Sequence, residues 1–155
     1  MNDLELDLEV LEGNEIEKEE YNKEIQILER GFNNNYDYKL EYILIGNTIA
    51  AKTKIIGRFL QRNLVDNKSI SFNSYFTIIQ IRSIKYCLEL TNIDSEERNN
   101  LIKNIYLLKR ANCLIFVYDI TDRKSFENLE FWIDESKKNS EKNAIKFWLG
   151  INVKN

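Results

Sequence analysis

The chain has 155 residues, a formal net charge of −3, two cysteines and no histidine. This length suits one domain with a sizeable core, and the lack of histidine excludes a Ser-His-Asp triad and His-ligated zinc. No apolar run is long enough to span a bilayer, and the acid-rich start excludes a signal peptide, so we expect a soluble, cytoplasmic protein. Cys87 and Cys113 lie in apolar runs, which indicates reduced, buried thiols rather than a disulfide framework.

Charge is distributed unevenly along the chain. Residues 1–30 contain eleven Asp or Glu and three Lys or Arg, whereas the other 125 residues have a net charge of +5. A mild positive excess suits an anionic ligand. Because aromatic and basic residues do not interleave along a stripe, we predict no nucleic-acid partner.

Residues 1–36 form an acidic N-terminal extension. Apolar residues alternate with acids over residues 4–10, which predicts a short strand, and a second set follows at helical spacing: Tyr21, Ile25, Leu28 and Phe32. The spacing predicts a helix there. The alternative is an acidic, disordered tail that stays solvated. After a linker at residues 33–35, the folded domain is expected over residues 37–155.

A phosphate-binding pattern follows the first strong apolar run. That run ends at Gly46, and an amphipathic helix opens just after Lys52-Thr53. The loop between them meets the pattern G-x-x-x-x-G-K-[ST] except at one position, and its candidate ligand-binding residues are Gly46, Asn47, Thr48, Ile49, Ala50, Ala51, Lys52 and Thr53. Backbone N–H groups at a helix N-terminus attract anions, Lys52 would reach the β- and γ-phosphates, and Thr53 would ligate Mg²⁺. Because Ala51 adds a methyl group where glycine dihedrals are usual, we expect weakened phosphate binding.

The next elements are predicted from apolar spacing. Residues 61–74 predict an exposed loop, residues 75–90 two strands of a hairpin, and residues 98–109 a helix after a polar stretch over residues 91–100. A continuous apolar run at residues 113–118 predicts a strand that is buried on both faces.

The last elements are a helix and a strand. A turn at residues 121–125 with candidate N-caps leads into a helix that carries Phe126, Leu129 and Trp132 on one face, and residues 144–151 predict another buried strand. The order βαββαβαβ predicts an α/β fold with a mostly parallel sheet and helices on both faces. Ligands bind at the carboxyl ends of such strands, where Gly46, Asn92, Asp119 and Asn152 fall.

Two stretches, YILIGNTIAAKT at residues 42–53 and CLIFVYDITDRKSFENLEFW at residues 113–132, resemble the Ras superfamily of small GTPases, and the Rab branch most closely. The resemblance covers residues 38–155. It implies a P-loop NTPase fold that lacks the last strand and helix of the family. It further implies a protein that binds GTP or GDP with Mg²⁺ and meets protein effectors or regulators of vesicle traffic.

Several functional positions depart from the family. Ser71 stands where a Mg²⁺-ligating threonine is expected, beside Thr53 as the other metal ligand, and Asn92 replaces an aspartate. Glu96 replaces the glutamine that orients the attacking water, so we expect poor hydrolysis. The base-reading motif runs from Asn152 to Asn155, and an amide at position 155 matches only part of the guanine edge.

The first functional prediction is a Rab-like domain with weak Mg²⁺-dependent guanine-nucleotide binding. The alternative is a pseudo-GTPase interaction module that neither binds nor hydrolyses nucleotide. The C-terminal residues carry no prenylation motif and Asn2 excludes myristoylation, so we predict no direct lipid anchor. A further hypothesis places the N-terminal strand and helix where the family's last strand and helix lie, and a partial gene product is the alternative.

Overall fold

The structure, a computed structural model, describes residues 25–29, 34–47, 49–60, 73–94 and 101–152. Within these ranges one six-stranded sheet forms, with the strands β1 Ile25–Glu29, β2 Tyr38–Gly46, β3 Asn73–Ile81, β4 Ile84–Asp94, β5 Cys113–Asp119 and β6 Ile145–Ile151. Their order across the sheet is β1-β3-β4-β2-β5-β6. The pairs β4/β2, β2/β5 and β5/β6 are parallel, whereas β1/β3 and β3/β4 are antiparallel. The predicted mostly parallel α/β sheet is confirmed.

Helices cover both faces of this sheet. They are α1 Ile49–Phe59, α2 Leu101–Arg110, α3 Arg123–Glu127 and α4 Glu130–Asn139. On one face, Ile56 of α1 packs with Leu44 and Val117 of the sheet. Leu60, the residue after this helix, belongs to the same buried cluster. On the other face, Leu108 of α2 and Trp132 of α4 are buried against the sheet. The strand residues in the same cluster include Ile43, Ile45 and Phe116. No helix in the described ranges is long and apolar enough to cross a bilayer.

The hairpin and the helix that follows it agree with the sequence patterns. β3 and β4 pair from Ile81 and Ile84 outward, and Arg82 in the turn has a positive φ of 56°. β4 continues to Asp94, so residues 91–94 are strand rather than the polar stretch that was predicted. The reason is the neighbouring parallel strand, since β2 supplies partners for β4 as far as Gly46.

The helix predicted around residues 21–32 is wrong over Ile25–Glu29, which form strand β1. The exposed edge of β3 provides hydrogen-bonding partners there, with Ile25 opposite Ile81 and Ile27 opposite Ile79. β1 also lies at the edge of the sheet opposite β6, so this part of the N-terminal extension does not occupy the place beside β6. The strand predicted over residues 4–10 lies outside the described residues.

β6 forms as predicted, but it is not the buried strand that its apolar sequence indicated. Ile145, Phe147 and Trp148 are about half exposed, at 55%, 57% and 50%. Within the described ranges β6 pairs with β5 alone, so one of its edges has no strand beside it. The apolar run therefore predicted the strand correctly and its burial wrongly.

Candidate phosphate-binding site

The carboxyl ends of the parallel strands meet at one edge of the sheet. Gly46 ends β2 opposite Asp94 of β4, and Asp119 ends β5 opposite Ile151 of β6. Asn152 follows directly after β6 and is half-buried. The sheet thus brings the predicted loop, the end of β4 and the predicted base-contacting residue to the same edge, as expected for ligand sites in such folds.

Gly46 is required because the backbone of β5 passes close to it. A Cβ atom at this position would lie 2.2 Å from the carbonyl oxygen of Val117 and 3.1 Å from its carbonyl carbon. Any side chain would force the two strands apart at the point where the loop begins. The sequence pattern identified this glycine but gave no indication of Val117, because the contact depends on which strand lies beside β2.

Lys52 is fully buried, with 0% of its surface exposed. Its Nζ donates a hydrogen bond to the carbonyl oxygen of Gly46, which closes the loop onto its own first residue. A buried ammonium group is costly unless polar partners surround it. The position of Lys52 inside the first turns of α1 therefore concentrates positive charge beside the N-terminus of a helix, where anions are favoured.

Ala51 is accommodated without strain. It is buried and belongs to the apolar cluster with Leu44, Ile56 and Val117. In the part of the chain that the structure describes, Arg82 is the one residue other than glycine with a positive φ, so Ala51 needs no glycine-like dihedrals. The methyl group of Ala51 packs in the core, and the expected weakening of phosphate binding stays a prediction.

Thr53 and Asn92 form a buried polar pair at the base of the loop. Thr53 is 1% exposed and Asn92 is 4% exposed. The Nδ2 group of Asn92 donates to Thr53 Oγ1 over 3.2 Å. Asn92 Oδ1 is buried and has no hydrogen-bond partner among the described residues. The sequence identified both residues but gave no indication of this contact, which joins positions 39 residues apart.

Asp119 stabilises the turn that leaves β5. Its Oδ1 accepts hydrogen bonds from the backbone N of Thr121 at 2.9 Å and from the Thr121 hydroxyl at 2.7 Å. The backbone N of Asp119 donates to Ser125 Oγ over 2.9 Å. Asp122 caps the next helix, since its carboxylate accepts from the backbone N of Lys124, which confirms the predicted N-cap. Oδ1 of Asp119 thus holds this turn.

The structure places some predicted site residues and not others. Ile49 and Ala50 begin α1, and Asn47 lies half-buried between β2 and α1. Four predicted site residues lie outside the described ranges: Thr48, Ser71, Glu96 and Asn155. The roles assigned to those four remain predictions.

The described donor groups do not fit a magnesium site. Mg²⁺ in phosphate sites is usually held by one or two carboxylates together with the phosphates of the substrate. Here the hydroxyl of Thr53 is hydrogen-bonded to a neutral amide, and Oδ1 of Asp119 accepts from Thr121. No cluster of three or more His, Cys, Asp or Glu suited to a metal occurs among the described residues.

Comparison with known proteins agrees with this geometry. A sequence model of the Ras family matches residues 41–153. Ras-related protein Rab-13 of Bos taurus is 32% identical over 117 residues, which cover 74% of this chain and 57% of that protein. Ras-related protein RABA4d of Arabidopsis thaliana is 25% identical over 123 residues, which cover 77% and 54%. GTP-binding protein YPTM1 of Zea mays is 29% identical over 119 residues, which cover 76% and 57%.

The chain spans a little over half the length of these relatives. The match includes the loop at residues 46–53 and the strands whose carboxyl ends surround it. The chain therefore belongs to the Ras family and is a Rab-like small GTPase domain.

Proposed function

We propose that this domain binds guanine nucleotide weakly, mainly through its phosphates, and hydrolyses GTP poorly. The observation that carries the proposal is the position of the buried Lys52 in the first turn of α1. A lysine ammonium beside a helix N-terminus offers charge and N–H donors to the same anion. Support for phosphate binding therefore comes from Lys52 and the N-terminus of α1, and does not depend on the residues predicted to contact the metal or the base.

Weak binding and poor hydrolysis are proposed from the other positions. Asn92 supplies no negative charge beside Thr53. Glu96 in place of a water-orienting glutamine, and Asn155 in place of a base-reading aspartate, support the same proposal from the sequence. A site whose polar groups are mispaired with the base loses selectivity for that base, so adenine nucleotides are expected to compete.

Rab-like relatives support a role in vesicle traffic through protein effectors or regulators inside the cell. The relative from Zea mays is named a GTP-binding protein, which supports guanine nucleotide as the ligand. The second candidate is a pseudo-GTPase interaction module. The bond from Lys52 Nζ to the carbonyl oxygen of Gly46 favours this candidate, because it satisfies the ammonium group without a phosphate.

Equilibrium titration with fluorescently labelled GDP separates the two candidates. We expect saturable binding by the full chain, and a loss of about 100-fold in Lys52→Met, which keeps a long buried side chain but removes the charge. Lys54→Ala is the matched control, because Lys54 lies on the same helix and is exposed. Its affinity should stay within about twofold of the unchanged chain.

Two results of this titration would contradict nucleotide binding through Lys52. One is the absence of saturable binding by the unchanged chain up to about 1 mM GDP, where the binding free energy is only about −4 kcal/mol. The other is equal affinity of the Lys52→Met variant and the unchanged chain. The first result would leave the pseudo-GTPase module as the function.

A further inference from the structure

We propose that nucleotide binding at this loop is indifferent to Mg²⁺, because Asn92 presents a neutral amide to the hydroxyl of Thr53. The inference rests on the proposed nucleotide binding. It differs from the sequence-based prediction that binding depends on Mg²⁺ held by Thr53 and Ser71. The observation that carries it is the buried contact of 3.2 Å between Asn92 Nδ2 and Thr53 Oγ1.

The chemistry of the hydroxyl group is the first step. A threonine hydroxyl has one donor hydrogen and two acceptor lone pairs. It ligates a cation best when a neighbour accepts its hydrogen, because the oxygen lone pairs are then left for the metal. Asn92 Nδ2 instead donates to the oxygen of Thr53 and occupies one of those lone pairs.

The neutrality of the residue beside Thr53 does not depend on which way the amide is turned, although the lone-pair argument does. Nitrogen and oxygen of an asparagine side chain are assigned from the surrounding hydrogen bonds. In the reversed orientation the amide oxygen would accept from Thr53, and the nitrogen would take the buried place that now belongs to the unpartnered Oδ1. In both orientations the residue beside Thr53 is uncharged.

The charge balance around the loop is the second step. Lys52 contributes a buried positive charge close to Thr53, and the first turn of α1 contains no acidic residue. Asp119 Oδ1 accepts two hydrogen bonds from Thr121, which hold the turn after β5. A divalent cation would add positive charge next to Lys52 without an offsetting carboxylate from the described side chains. Lys52 and the helix N-terminus are left to balance the phosphate charge.

The test restores the missing charge. Binding of labelled GDP, and its displacement by pyrophosphate, are measured with excess Mg²⁺ and with EDTA, for the full chain and for Asn92→Asp. We expect the affinity of the unchanged chain to differ by less than about twofold between the two conditions, and that of Asn92→Asp to rise at least about tenfold with Mg²⁺. Melting temperatures with GDP should show the same pattern.

Asn104→Asp is the matched control. Asn104 lies in α2 and is a buried asparagine like Asn92, with 1% of its surface exposed. The same substitution there places a buried carboxylate away from the loop. Its effect on stability should resemble that of Asn92→Asp, whereas its GDP affinity should not respond to Mg²⁺.

Each outcome decides the inference. A tenfold tightening of GDP binding by Mg²⁺ in the unchanged chain overturns it, and this arm suffices even if Asn92→Asp does not fold. A folded Asn92→Asp variant that ignores Mg²⁺ also overturns it. If the unchanged chain binds no GDP but Asn92→Asp does so with Mg²⁺, the role of Asn92 is upheld and the proposed nucleotide binding of the unchanged chain fails. Absence of binding in both proteins overturns both proposals.

Discussion

β5 and β6 are neighbouring strands with similar apolar sequences and different surroundings. β5 has strands on both sides and contributes Leu114, Phe116 and Val117 to the buried clusters on the two faces. β6 has one described neighbour, and its Phe147 and Trp148 remain about half exposed. An apolar run therefore specifies a strand, whereas its burial depends on which elements the rest of the chain places around it.

This difference extends to the ligand site. The loop that begins at Gly46 is supported by the backbone of Val117 in the buried strand β5. Asn152, the predicted base-contacting residue, follows the exposed edge strand β6. The phosphate end of the site thus rests on a buried central strand, whereas the base end follows an edge strand. That asymmetry agrees with the proposal that phosphate contacts supply most of the nucleotide affinity.

The largest expected effect contrasts the two tryptophans near these strands. Trp132 of α4 is fully buried in the cluster with Phe116, whereas Trp148 of β6 is half exposed and packs on Phe116 with ring centroids 5.5 Å apart. Trp132→Ala should lower the free energy of unfolding by about 3–5 kcal/mol, and Trp148→Ala by about 1 kcal/mol. Urea denaturation monitored by far-ultraviolet circular dichroism measures both. Equal losses would contradict the contrast in burial between the two strands.

The next effect concerns the two glycines beside β5. Gly46→Ala would place a Cβ atom 2.2 Å from the backbone oxygen of Val117, whereas Gly150→Ala would meet the Ile120 Cγ2 atom at 2.8 Å. Backbone cannot yield easily, whereas the contacts at Gly150 are all with side chains: Ile120 is exposed and can rotate, and Tyr118 Oη lies 3.0 Å away. We expect Gly46→Ala to cost about 3 kcal/mol of stability and to reduce GDP binding, and Gly150→Ala to cost less than about 1 kcal/mol.

The same titration and denaturation experiments check the glycine pair. Unchanged stability and GDP affinity in Gly46→Ala would show that contact with β5 does not support the loop. A loss in Gly150→Ala as large as that in Gly46→Ala would show that β6 is held as tightly as β2.

The smallest effect is confined to alkaline pH. Burial raises the pKa of the Cys113 thiol at the start of β5 from 9.0 to about 11. Between these values the unfolded chain releases this proton while the folded chain retains it, so the free energy of unfolding falls as pH rises through the range. The fall is at most about 1.4 kcal/mol per pH unit. It should be smaller in Cys113→Ala, measured by urea denaturation between pH 8 and about pH 10. Parallel pH profiles of the two proteins would contradict the prediction.

Sequence predicted the elements whose signals are local. The apolar run before Gly46, the pattern at Lys52-Thr53 and the N-cap at Asp122 are each encoded within a few residues, and the structure has the corresponding strand, helix and cap. The Ras-family assignment followed from the same short stretches.

The remaining features depend on distant parts of the chain. Ile25–Glu29 has helical spacing, yet the free edge of β3 makes it a strand. Position 46 requires glycine because the backbone of Val117 lies beside it. The hydroxyl of Thr53 is hydrogen-bonded by Asn92, which lies near the end of another strand. No pattern within a single segment reports such contacts, because they arise from the order of strands in the sheet.

The most direct test of the account is displacement of labelled GDP from the full chain by either half of the nucleotide. Pyrophosphate and guanosine are titrated separately against the bound probe, with Lys52→Met as the reference. If the loop supplies most of the affinity, pyrophosphate displaces the probe and guanosine does not at the same concentration. Displacement by guanosine but not by pyrophosphate would contradict phosphate-led binding and move the dominant contacts to the base end of the site.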